Sequence, residues 1–149
     1  MKIHFACLAT LILCAGCHTL TPPADFMPVE RGDLGEYDQR VVSADGVVIG
    51  VRSQTTSSPG TLEFWSQAVA NELTTNKGYQ LAGAEDAVGA GGQKCKFMTF
   101  HYSLRGNSMT YLLAVYVDGR GVLLAEAGGK ADLVQKQLPA IRQSLLSAR

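Results

Sequence analysis

The run Leu112-Leu113-Ala114-Val115-Tyr116-Val117 is apolar at every position. Side chains of a strand alternate between two faces, so a strand like this must be covered on both sides. That requirement makes it a central strand between two layers. Its neighbours in sequence fit. Cys95 to Leu104, Met109 to Val117 and Val122 to Ala127 are strand-like runs. Asn107 lies between the first two, and Asp118-Gly119-Arg120-Gly121 between the last two. Short polar and glycine-rich connections of this kind join antiparallel neighbours. Upstream, Arg40 to Arg52 holds two valine-rich runs around Asp45-Gly46, a dipeptide suited to a tight hairpin turn. Tyr79 to Val88 is a weaker strand that leads into Gly89-Ala90-Gly91-Gly92.

Two segments carry a helical period. Leu62, Trp65, Val69 and Leu73 form one apolar stripe, which predicts a helix from about Leu62 to Lys77. Thr61 is placed to cap its start, and Gly78 to end it with Tyr79 folding back on Leu73. Ser58-Pro59-Gly60 closes the loop before it. Val134, Leu138, Ile141 and Leu145 mark a second helical segment between Lys130 and Ala148. Pro139 inside it would remove a backbone hydrogen bond, which predicts a break with proline in the first turn of the last piece. The expected fold is α+β: an antiparallel sheet of about five or six strands, packed with one helix from the N-terminal half and one at the C-terminus.

The N-terminus has a different character. From Ile3 to Gly16 only His4 and Thr10 are polar, and Lys2 precedes them. As a helix these residues reach about 21 Å, short of a hydrocarbon core of about 30 Å. A positive start, a short apolar middle and small residues before a boundary are the plan of a secretory leader. Leu13-Cys14-Ala15-Gly16-Cys17 resembles the lipobox of bacterial lipoproteins, with Cys14 where that pattern usually has Leu. The resemblance implies removal of residues 1–16. It implies that Cys17 then carries a diacylglyceryl thioether and an acylated amine, with fatty chains such as palmitate. It further implies a protein moored to the envelope. His18, where an Asp would signal retention at the inner membrane, implies the outer membrane facing the periplasm. Two or more chains anchor stably.

Residues 17–36 include Pro22, Pro23, Pro28, Gly32 and Gly35, which predicts a lipidated tether. Residues 37–149 then form a single domain. Removing the leader takes Cys7 and Cys14, and lipid takes Cys17, so Cys95 is left alone and no intramolecular disulfide is expected. Thirteen basic and thirteen acidic residues balance, and no basic run argues for nucleic acid.

The spacing of Phe64-Trp65, Leu73, Gly78-Tyr79, Gly91-Gly92, Phe97, Phe100, Tyr111, Val115, Val122, Glu126-Ala127 and Ile141 is similar to that of the PsbP-like α/β/α sandwich. The resemblance covers about residues 37–148. It implies an accessory subunit that docks on a larger membrane assembly, and it transfers no metal or cofactor residue.

Searches for chemistry give little. Cys95 and His101 share a strand face, but six residues put them about 20 Å apart, too far for a nucleophile–base pair. The glycines from Gly89 to Gly92 lead into a strand, not into a helix N-terminus that could hold a phosphate. Glu85 and Asp86 point to opposite faces. Glu126, an acid in an apolar strand, is the carboxylate of most interest. No catalytic residue, metal site or cofactor is assigned. The expected function is a lipid-anchored envelope module that binds a protein partner. The alternative is a small-ligand or lipid binder with an apolar pocket between helix and sheet, lined by Trp65, Phe97 and Phe100. An enzyme would need a cleft holding His101 or Glu126 beside another polar group.

Overall fold

The computed structural model describes residues 18–58 and 60–149. The expected leader 1–16, the expected lipidation site Cys17 and the loop residue Pro59 lie outside them. Seven antiparallel strands form one sheet: β1 Phe26–Pro28, β2 Gln39–Ser43, β3 Val48–Thr55, β4 Gln80–Val88, β5 Lys94–Leu104, β6 Asn107–Asp118 and β7 Gly121–Lys130. Their order across the sheet is β1-β2-β3-β7-β6-β5-β4. The strand that is apolar on both faces, β6, sits between β5 and β7.

Helix α1, Leu62–Asn71, lies on one face. Helices α2, Ala131–Lys136, and α3, Leu138–Leu146, lie on the other. Alternation along the strands builds both cores at once. On the α1 face Leu73, Met98, Phe100, Leu113, Val115 and Leu124 are buried together with the half-buried Trp65. On the opposite face Val41, Ile49, Cys95, Phe97, Leu112, Ala125, Val134, Ile141 and Leu145 form the larger cluster. Among the described residues no helix is long and apolar enough to cross a membrane.

The local signals explain most boundaries. Thr61 Oγ1 accepts from the N–H of Phe64 at 3.1 Å and caps α1. The helix widens into a π turn at Glu72–Asn76. It then ends at Gly78 with φ +70°, and Tyr79 N–H donates to the Leu73 carbonyl at 2.9 Å. Pro139 stands in the first turn of α3, after a break at Gln137. The β2–β3 hairpin turns at Gly46, whose φ is +88°. Gly121 opens β7 where a side chain has no room: a Cβ there would lie 2.1 Å from the Gln54 carbonyl oxygen.

Two expectations are corrected. Among the described residues the sheet has seven strands, not five or six, because β1 adds an edge strand from the segment expected to be a tether. That segment is packed, not free. Thr19 and Arg149 exchange two backbone hydrogen bonds of 3.0 Å. Leu20 N–H donates to Gln39 Oε1 at 2.8 Å and Thr21 N–H to Ser147 Oγ at 2.7 Å. The physical reason is apolar burial: Leu20 and Phe26 are 6 % and 5 % exposed and join the larger core. Pro28 is tolerated because β1 is an edge strand. Within the described residues the folded body therefore reaches back past Tyr37 to Thr19.

Candidate functional site

Strand β7 changes chemistry along one face. Val122 and Leu124 lie in the core beneath α1, and the next residue on that face is Glu126, only 5 % exposed. The register places Gly50 of β3 on one side of Glu126 and Leu113 of β6 on the other. Residues two positions along those strands share its face, which brings in Arg52 from β3 and Tyr111 from β6. Tyr37, from the loop before β2, reaches over Gly50. A Cβ on Gly50 would lie 2.6 Å from the Tyr37 ring, so glycine is what lets the ring approach.

The result is a closed set of partners around one buried carboxylate. Tyr37 donates its hydroxyl to Glu126 Oε1, and Tyr111 donates to Oε2. Arg52 Nε lies 3.4 Å from Oε1 and its Nη1 3.3 Å from Glu36 Oε2. The Arg52–Glu126 contact is an ion pair without a directed hydrogen bond from Nε. The electrostatics follow. Burial pushes both tyrosine hydroxyls well above their ordinary values, and the hydrogen bond and negative charge of Glu126 push the same way. Both tyrosines therefore stay neutral donors across the physiological range. Burial works against the Arg52 cation, but the carboxylates of Glu126 and Glu36 more than offset it and hold the guanidinium above its ordinary value.

Above this cluster a cleft of about 290 Å³ opens, lined by Tyr37, Arg40, Tyr102, Met109, Tyr111 and the glycines Gly46, Gly50, Gly128 and Gly129. Arg40 lies opposite Gly50 in the β2–β3 ladder. Its guanidinium sits 5.4 Å from the Tyr37 ring centroid, and its buried Nε has no acceptor among the described residues. Tyr79 stacks on Tyr102 with centroids 4.2 Å apart and extends the aromatic wall.

The other sequence-derived candidates do not converge here. Trp65 and Phe100 belong to the α1 core, whereas Phe97 faces α3 and carries Arg142 over its ring at 4.4 Å. These three therefore do not line one pocket. His101 is exposed on the face opposite Glu126, with Nδ1 3.1 Å from Thr110 Oγ1. Cys95 is fully buried, and burial pushes its thiol above its ordinary value. Among the described residues no group of three or more His, Cys, Asp or Glu is placed to hold a metal ion. Of the residues singled out by sequence, only Glu126 lies in the cleft. Its partners Tyr37, Arg52 and Tyr111, and the cleft residue Arg40, were missed, although glycine at position 50 in a valine-rich strand signals a close approach.

No protein-family model matches the chain, and no curated protein matches it either. Solved structures do. The structure of LpqN from Mycobacterium tuberculosis, a protein involved in cell envelope biogenesis, superposes with a TM-score of 0.71 at 17% identity, covering 88% of this chain and 81% of LpqN. Cyanobacterial PsbP (CyanoP) from Synechocystis follows with 0.61 at 12% identity, covering 89% and 86% of the two chains. A Pseudomonas aeruginosa protein of unknown function gives 0.55 at 12% identity, covering 89% and 96%. The fold is PsbP-like.

Within that fold the cleft has definite chemical limits. Both carboxylate oxygens of Glu126 already accept hydrogen bonds, and its charge is balanced by Arg52. Glu126 thus lies in a cleft beside other polar groups, and its hydrogen bonds hold Tyr37 and Tyr111 in place. What the cleft offers outward is aromatic surface from Tyr37 and Tyr102, a thioether from Met109 and a cation from Arg40.

Proposed function

We propose that this chain is a lipid-anchored accessory protein of the bacterial cell envelope, without catalytic activity, that docks a protein partner at the cleft above Glu126. One observation carries the reading. In the cleft both carboxylate oxygens of Glu126 accept tyrosine hydrogen bonds, while the buried Nε of Arg40 has no acceptor among the described residues. Aromatic residues and arginine are the groups that dominate protein interfaces. The envelope assignment draws support from the leader and lipobox pattern ending at Cys17, and from the likeness to LpqN, a protein of cell envelope biogenesis. The anchor is acylated Cys17, and the membrane is the outer membrane, on its periplasmic side, as His18 implies.

A second reading has its own support. The cleft volume of about 290 Å³ lies at the lower edge of small-ligand sites. A small polar ligand with an anionic or carbonyl group could use the same Arg40. The site is then this cleft and not an apolar pocket beneath α1.

The test is affinity capture of the lipidated protein from its native envelope after gentle solubilisation, with wild type beside Arg40→Glu. The expected result is one stoichiometric protein with wild type, lost with Arg40→Glu at unchanged melting temperature. Equal recovery by both would overturn the docking role of the cleft. Recovery of a small molecule in place of a protein would favour the second reading.

A further inference from the structure

The segment next to the expected anchor is fastened to the folded body. Thr19 pairs with Arg149 through two backbone hydrogen bonds. His18 sits in a hollow formed by the end of β3 and the β6–β7 turn, beside Gln54, Thr55, Asp118 and Arg120. Consecutive Cα atoms are 3.8 Å apart, so Cys17 lies within about 8 Å of Thr19. No slack chain separates the acylated residue from the body.

We infer that the end of the sheet carrying His18 and the Asp118–Gly121 turn rests on the phospholipid headgroups of the anchoring membrane, which turns the Glu126 cleft away from the bilayer. This rests on the acylation of Cys17 proposed above. The chemistry of that end suits an interface. The Arg120 side chain is 73% exposed, paired only loosely with Asp118 at 3.4 Å. The β5–β6–β7 register places Lys94, the start of β5, at the same end. Val88, Lys94, Asp86 and Leu62 of α1 line one hollow, so the start of α1 is there too, and Asp86 is paired with Lys96 at 2.6 Å. Phe64 in its first turn is 60% exposed and Val88 61%. Cations attract anionic headgroups, and an exposed ring beside them is suited to the membrane–water boundary. The cleft belongs to the other end. Its rim includes Gly46, Gly128 and Gly129, and the eight steps along the strand from Gly121 to Gly129 span about 26 Å.

The experiment uses the full lipidated protein in vesicles of phosphatidylethanolamine and phosphatidylglycerol that contain a headgroup-nitroxide lipid. Fluorophores are placed at Arg120→Cys or at Asp45→Cys, in the exposed β2–β3 turn at the cleft end. Cys95 is buried and does not compete for label. The expected result is several-fold stronger quenching at position 120 than at 45, abolished by a long Gly/Ser spacer inserted after His18. Equal quenching, or stronger quenching at 45, in protein whose intact mass shows acylated Cys17 overturns the orientation while leaving the anchor standing. An intact mass with an unmodified thiol overturns the anchor, and the orientation falls with it.

Discussion

The two faces of the sheet are built by the same strands and end up with opposite characters. Along β7, Leu123, Ala125 and Ala127 feed the core under α2 and α3, while Val122, Leu124 and Glu126 face α1. The α2/α3 face is apolar at its centre, with Ile49, Leu112, Ile141 and Leu145 fully buried, and its buried polar residues are the small Ser43, Thr110 and Ser144. The α1 face is apolar only as far as its helix reaches. Helix α1 with its π turn, Leu62–Asn76, extends about 22 Å, whereas twelve residues of β6 extend about 40 Å. Beyond the helix the sheet surface would be wet, and there the sequence supplies tyrosines, arginines and one carboxylate. The difference teaches where recognition can be built on this fold: on the part of the sheet that the shorter layer leaves uncovered.

That comparison makes graded predictions. The largest effect belongs to the apolar face. Ile141→Ala should lower unfolding free energy by about 3 kcal/mol, read as a drop in the urea midpoint, because the removed methylenes leave a cavity in a closed core. Glu126→Gln should cost less, about 1–2 kcal/mol, since the amide keeps the shape but loses the Arg52 ion pair. A larger loss from Glu126→Gln than from Ile141→Ala would invert the comparison. Tyr111→Phe should cost about 1 kcal/mol. Combined with Glu126→Gln it should be clearly less than additive, because both remove one interaction.

The pH response sharpens the contrast. Tyr37 and Tyr111 keep their protons in the folded state beyond the ordinary value of 10.0, where unfolded tyrosine ionises. The folded state then binds more protons than the unfolded state, so stability falls as pH rises. It should be insensitive to these groups below about pH 10 and decline above it. Circular dichroism of the wild type against Tyr37→Phe/Tyr111→Phe checks this: the variant should show a shallower alkaline decline. The smallest effect is expected for Phe64→Ser. It should change stability by no more than about 0.5 kcal/mol, since the ring is mostly exposed.

Much of the scaffold was legible because its signals are local. Asp45-Gly46, the Thr61 cap, Gly78 and Pro139 each act within a few residues, and each marks the boundary expected of it. Strand β1 was hidden because Leu20 and Phe26 show no period among prolines and glycines, and their burial depends on partners more than a hundred residues away at the C-terminus as well as on β2. The site was legible only at its centre. Glu126 stands out in an apolar strand, but its partners come from three other segments whose meeting depends on the register of β3 and β6 and on the fold of the loop before β2. The proposed pocket residues Trp65, Phe97 and Phe100 failed to meet for a simpler reason. Phe97 and Phe100 are three apart on one strand, and an odd separation puts them on opposite faces.

The central claim is that a small α/β/α body is held against an envelope membrane by acylated Cys17 and presents its polar cleft from there. Intact-mass measurement of the mature protein recovered from its native membrane tests it most directly. The expected mass is that of residues 17–149 with a diacylglyceryl group and an amide-linked acyl chain. A product that retains residues 1–16, or one that begins at Cys17 with a bare thiol, would contradict it.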